Sequence, residues 1–138
     1  MKVESKITPR YAETDKMGII HHAVYPIYYE IGRTDFCKQL GLPYHLIEER
    51  GITQALVNLE VKYKRPAVYG DELTLVTTLK RYDAVTCEFK YELYNQNNEL
   101  INIGTTRMAW LDKDTLTLTG LHKNHRDILQ LLENALEK

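Results

Sequence analysis

The sequence predicts an α+β domain: an antiparallel β-sheet curled around one long central helix, with a further helix appended at the C-terminus. Three observations carry this. A stretch after His22 is apolar around most of a helical circumference, several stretches between Val57 and Leu111 alternate apolar and polar residues, and the connections between those stretches are short.

Each element follows from local chemistry. Residues 3 to 10 alternate loosely, with Val3, Ser5 and Ile7 against Glu4, Lys6 and Thr8, and read as a first strand. After His22, Val24, Ile27 and Ile31 occupy one side of a helix, while Tyr25, Tyr29, Gly32, Phe36 and Leu40 follow a second. A helix apolar over that much of its surface is expected to be enclosed. Pro26 fits only the first helical turn, and Gly41 stands where a terminator belongs. A short helix is expected over 44–50, ended by Gly51.

The period then changes to two. Val57, Leu59, Val61 and Tyr63 alternate with Asn58, Glu60, Lys62 and Lys64, a half-buried strand stopped by Pro66. Leu73, Leu75, Thr77 and Leu79 repeat the pattern, and Val85, Cys87, Phe89, Tyr91 and Leu93 repeat it again. The polar cluster 95–98 is a hairpin loop, followed by a strand over 100–111. Short connections imply antiparallel pairing of successive strands. From about Asn124 helical spacing returns with Ile128, Leu129, Leu132 and Leu136, Asn124 reading as the N-cap and Asp127 as an acidic first turn. No repeat or linker interrupts the chain, so residues 1–138 read as one domain.

Composition narrows the function. A formal net charge of −1 leaves no broad basic face, which argues against a nucleic-acid partner. Ten tyrosines against two phenylalanines favour surfaces that are half apolar and half wet, such as clefts and subunit interfaces. The N-terminus lacks the apolar core of a secretory signal, and no apolar run reaches the ~20 residues of a transmembrane segment, so a cytoplasmic location is expected. Cys37 and Cys87 are isolated and read as free buried thiols. An antiparallel sheet curled around one helix is a hotdog-like arrangement. Its exposed sheet edge calls for a partner, so an obligate homodimer or a dimer of dimers is expected.

The chemistry-bearing residues gather in "YAETDKMGIIHHAVYPIYYE", residues 11 to 30. Adjacent His21 and His22 are expected to face different directions, which gives no metal site, and no nucleophile elbow, phosphate loop or dinucleotide fingerprint is present. What remains is Asp15 and His22 at the start of the central helix. First-turn N–H groups lack intrahelical partners and carry the positive end of the helix dipole, so they can polarise a thioester carbonyl and stabilise its oxyanion. Asp15 can then act as general base on water or attack directly, and His22 can position groups or help with proton transfer. The competing readings are an Asx-turn or cap for Asp15 and a packing or surface role for His22. Glu30 and Arg33, three apart on the helix, are expected to form an ion pair. Lys62, Lys64 and Arg65 read as a solvated strand face or as a holder of carrier phosphates.

"YAETDKMGIIHHAVYPIYYEIGRTDF" resembles the opening of hotdog-fold acyl-CoA thioesterases of the 4-hydroxybenzoyl-CoA thioesterase type, in the branch with Asp and His at the start of the central helix. The matching positions are Tyr11, Asp15, Gly18, Ile19, Ile20, His22, Glu30 and Arg33, and "VKYKRPAVYGDELTL" resembles the family's strand-turn-strand segment. The resemblance covers roughly residues 5 to 112. It implies hydrolysis of an acyl-CoA to a carboxylic acid and coenzyme A, with Asp15 as base or nucleophile, His22 presenting its N–H to the thioester oxygen, and Tyr11 assisting. It further implies a substrate site at a dimer interface involving Gly18, Ile19 and Tyr25, and no metal or bound cofactor. One departure stands out: Tyr82-Asp83-Ala84 occupies the turn where the benzoyl-type enzymes place basic residues, so phosphate contacts are expected from Lys62, Lys64, Arg65, Lys80 or Arg81 instead. Two alternatives stay open, a thioesterase acting on acyl carrier protein and a non-catalytic acyl-thioester-binding module.

Overall fold

Five strands form one antiparallel sheet in the order β1-β3-β4-β5-β2. The structure, a computed structural model, describes residues 1–136. The strands are β1 (Lys2–Ile7), β2 (Ile52–Tyr63), β3 (Leu73–Tyr82), β4 (Thr86–Tyr94) and β5 (Leu100–Asp112). The helices are α1 (Tyr25–Gln39), α2 (Tyr44–Glu49), α3 (Leu121–Asn124) and α4 (Arg126–Ala135), with a single 3₁₀ turn over Tyr11–Glu13. The α+β class and the hotdog arrangement expected from the sequence are both present.

Strand alternation places Leu73, Leu75, Leu79, Phe89, Tyr91 and Leu93 in a buried layer under α1. Two glycines let the helix sink onto that layer. A Cβ at Gly32 would lie within 2.7 Å of Leu75 and Thr77, and one at Gly104 within 2.6 Å of two ring atoms and the hydroxyl oxygen of Tyr29. The Tyr29 ring stacks on Tyr91 at 4.3 Å, and its hydroxyl donates to Asn102 Oδ1 at 2.5 Å. Pro26 occupies the first turn of α1, and Gly41 follows the helix with φ +83°.

Four expectations need correction. β1 stops at Ile7 instead of continuing to residue 10, because Pro9 has no N–H to offer a ladder. β2 pairs with β5 at the sheet edge, not with its chain neighbour β3, so both the β1–β2 and the β2–β3 connections cross the sheet. Asn124 ends α3 and does not cap α4; His125 takes that position, and Asp127 in the first turn binds Arg50 at 2.6 and 2.7 Å. Finally, α1 is not enclosed. Tyr25, Tyr28, Tyr29, Gly32, Phe36 and Cys37 face the sheet, whereas Ile27 and Ile31 are exposed. β2 likewise buries little of its alternation, leaving Leu56, Val57, Leu59 and Tyr63 exposed. A bulge at Val57 interrupts its pairing with β5.

Candidate active site

Asp15 sits in a turn closed by its own backbone: its N–H donates to the Ile19 carbonyl at 2.8 Å, and Gly18 N–H donates to the Asp15 carbonyl at 3.1 Å. Gly18 makes this possible with φ +80°, a conformation that glycine adopts without a Cβ penalty. Asp15 Oδ1 accepts the Met17 N–H at 2.7 Å. The carboxylate is thus oriented by an Asx-turn through one oxygen, and among the described residues Oδ2 meets no donor.

The turn is fastened to its surroundings on two sides. Ile20 N–H donates to the Ala67 carbonyl at 2.8 Å, and His21 N–H donates to the Glu13 carbonyl at 2.9 Å. Glu13 is buried and accepts from Arg10 N–H (2.8 Å), Arg10 Nε (3.2 Å) and the Tyr28 hydroxyl (2.7 Å). Burial alone would raise its pKa, but these donors outweigh it and hold the carboxyl below the usual range. Tyr28 belongs to the first turn of α1, so Glu13 links the Asp15 loop to the helix start. Nothing singled Glu13 out beforehand. The readable signal was the Arg10-x-x-Glu13 spacing, which forms the reciprocal cap of the 3₁₀ turn.

A cavity of about 330 Å³ opens here. Asp15, Ile19, His22 and Tyr25 form one wall, and Tyr63, Lys64, Arg65 and Pro66 the other. The Tyr63 hydroxyl donates to the His22 carbonyl at 2.9 Å, and the buried Tyr25 hydroxyl accepts the Ala67 N–H at 3.3 Å. Burial raises the Tyr25 pKa, keeping that phenol protonated. α1 begins without a side-chain cap or an acidic first turn, so the positive end of its dipole stays uncompensated beside the cavity. His22 N–H has no acceptor among the described residues. The expectation that His21 and His22 face apart is corrected: their rings stack at 4.2 Å and 28°, with His21 Nδ1 accepting the Ala23 N–H at 3.1 Å. Among the described residues no group of three His, Cys, Asp or Glu side chains could hold a metal.

Asp15, Ile19, His22, Tyr25, Lys64 and Arg65 therefore come together, and three other expected residues do not. Gly18 shapes the turn without lining the cavity. Lys62 lies in a depression with Lys80 and Lys90, because strand alternation sends it away from Tyr63. Tyr11 is exposed and meets Tyr69 edge-on at 5.6 Å. Arg65 is held by Glu99 at 2.8 Å.

A second cavity of about 280 Å³ lies farther along α1, with Glu30 and Arg33 facing Tyr44, Gln54 and Met108. The expected Glu30–Arg33 ion pair is not formed. Arg33 Nη1 instead donates to the hydroxyls of Tyr91 (3.2 Å) and Thr106 (3.4 Å), acceptors that the sheet presents under the helix, while Glu30 is exposed. Cys37 and Cys87 are free and buried, as expected, and burial raises their pKa values to about 11 and about 12, far from nucleophilic use.

An antiparallel sheet laid across one long helix is the hotdog arrangement. The chain belongs to the thioesterase-like superfamily, whose model matches residues 9–131. It is 35% identical to the Bacillus subtilis protein YneP over 96% of both chains. It is 25% identical to the acyl-CoA thioester hydrolase YbgC of Escherichia coli, covering 74% of this chain and 76% of that one. The crystal structure of a DHNA-CoA thioesterase from Staphylococcus aureus superposes with a TM-score of 0.93 at 31% identity, over 96% of this chain and 89% of that one. Among the described residues no helix is long and apolar enough to cross a membrane.

Proposed function

We propose that this chain hydrolyses the thioester of an acyl-CoA to a carboxylic acid and coenzyme A, with Asp15 as general base or nucleophile. One observation carries the reading: Asp15, oriented through Oδ1 and open at Oδ2, lines the same cavity as His22 at the uncapped start of α1. A carbonyl placed there meets a positive dipole end on one side and a carboxylate on the other. As general base, Asp15 takes a proton from water while the water oxygen bonds to the carbonyl carbon; the tetrahedral oxyanion then collapses and expels the thiolate. As nucleophile it bonds to the carbonyl carbon, the C–S bond breaks with loss of the thiolate, and water cleaves the resulting mixed anhydride to the acid and free Asp15. The reading places the chain in the Asp/His branch of the 4-hydroxybenzoyl-CoA type, acting in the cytoplasm without metal or bound cofactor.

The active form is proposed to be a homodimer, alone or within a dimer of dimers. β2 is a twelve-residue unpaired edge with Leu56, Val57 and Leu59 exposed, and Ile27 and Ile31 stand exposed on α1. Antiparallel pairing of two β2 edges brings the Gln54 end of one copy against the Tyr63 end of the other. The Glu30–Arg33 cavity of one copy then adjoins the Asp15 cavity of its partner and receives the acyl group. Within one chain those strand ends lie nine residues, about 30 Å, apart.

The test is release of free thiol from a panel of aliphatic and aromatic acyl-CoAs, including DHNA-CoA. Asp15→Asn is expected to lower turnover roughly 10²- to 10⁴-fold with fold and dimer intact, and His22→Ala to fall between it and wild type. Equal rates for wild type and Asp15→Asn would overturn the assignment. Single turnover in ¹⁸O-water distinguishes the two roles, since only a nucleophilic Asp15 incorporates label into its own carboxylate.

A further inference from the structure

We propose that Tyr11 and Tyr69 form a stacking ledge for the adenine ring of the coenzyme A carrier, which rests on the acyl-CoA reading above. Tyr11 is 75% and Tyr69 58% exposed, and neither hydroxyl has a partner among the described residues. Their rings meet edge to face at 5.6 Å and 83°, a contact that uses one ring face and leaves the others open. Val68, also exposed, directly precedes Tyr69 in the chain.

The ledge is continuous with the active-site cavity. Val68 forms a β-bridge with Ile19, which lines that cavity, and Tyr69 lies in the turn that follows Val68, closed by the Asp71 N–H on the Val68 carbonyl. Lys64 and Arg65 stand on the same rim, and Lys64, unlike Arg65, has no carboxylate within ion-pair distance among the described residues. The cavity thus brings a carboxylate and cations together, and the exposed aromatic faces join it through the Ile19–Val68 bridge. Coenzyme A carries a thioester on its pantetheine arm, a diphosphate and a purine, groups that match these three features. Lys64 suits the diphosphate as a point charge, and a purine stacks on tyrosine without needing hydrogen bonds to read it. An acyl carrier protein offers the same arm and phosphate but no purine, so the ledge would favour the nucleotide carrier. Tyr11 then acts in binding, consistent with its place outside the cavity that holds Asp15.

The experiment compares an acyl-CoA with the N-acetylcysteamine thioester of the same acyl group, which lacks the nucleotide. Tyr69→Ala is expected to raise KM for the acyl-CoA roughly 5- to 100-fold with kcat unchanged, and to leave kcat/KM for the truncated thioester as in wild type. Tyr69→Phe, which keeps the ring, is expected to match wild type on both substrates. A loss for Tyr69→Phe, or equal losses on both substrates in Tyr69→Ala, would overturn the ledge while leaving the thioesterase reading in place. Calorimetry with free coenzyme A and 4′-phosphopantetheine tests it without turnover. Wild type should bind coenzyme A at least about tenfold more tightly and Tyr69→Ala should lose that preference; equal binding of the two ligands by wild type would overturn it.

Discussion

The sheet-facing side of α1 and the outer side of the molecule along β2 obey different rules. The first is closed by its own chain: Gly32 and Gly104 remove the atoms that would hold helix and sheet apart, and Tyr29, Tyr91 and Phe36 fill the space. At that end of the sheet, β1 is a short edge whose outward residues are Lys2, Glu4 and Lys6, charges that discourage another strand from adding. The second side is open. β2 is twice as long and exposes Leu56, Val57 and Leu59. The difference teaches that one alternating pattern can be completed within a chain or left open at its surface.

The comparison can be broken from the closed side first. Gly104→Ala forces a methyl into the Tyr29 ring and is expected to cost about 3 kcal/mol, read by urea denaturation. A change under about 0.5 kcal/mol would mean that the helix has room to lift. Next, Leu59→Glu should weaken dimerisation by at least about 100-fold in sedimentation while each chain stays folded, because two like charges would enter the paired edge. The matching charge change on the other edge, Glu4→Lys, should leave the oligomer unchanged, and an equal effect from both would erase the distinction between the edges.

A smaller effect sharpens the link between the closed side and the site. Glu13→Gln keeps the shape but loses the charge-assisted bonds to Arg10 and Tyr28, and is expected to cost about 1–2 kcal/mol at neutral pH. Because the Glu13 pKa is lowered on folding, the unfolded chain takes up the proton first. Wild-type stability from this group is therefore present above the ordinary value of 4.5 and is lost as pH falls through the folded value. The variant should show a shallower acid limb in pH-dependent denaturation; an unchanged limb would mean that Glu13 does not couple the loop to the helix.

Legibility followed the same division. β3, β4 and β5 were readable because alternation, turn residues and burial all agree within the chain, as with Leu73 to Leu79 and the 95–98 hairpin. α1 and β2 were located but their burial was not, since Ile27, Ile31 and Val57 carry an apolar pattern that their own chain does not cover. At the site, Asp15 and His22 were found from a local cluster preceding a helix. Tyr63 and Pro66 were seen only as strand and stop, because their place opposite His22 depends on where β2 ends in three dimensions. The Glu30–Arg33 pair failed for a related reason: helical spacing knows neighbours along the helix and nothing of the Tyr91 and Thr106 hydroxyls beneath it.

The bulge at Val57 acts as a frameshift in the strand. Positions 54 and 63 differ by an odd number, so in an unbroken strand their side chains would take opposite faces. Yet Gln54 and Tyr63 both turn toward α1, each walling a different cavity. Val57 supplies the extra count, leaving Leu56 opposite Met108 and Asn58 opposite Arg107. Deleting that one residue would restore even alternation and rotate one half of β2 outward, so that the strand could serve the Asp15 end or the Arg33 end but not both.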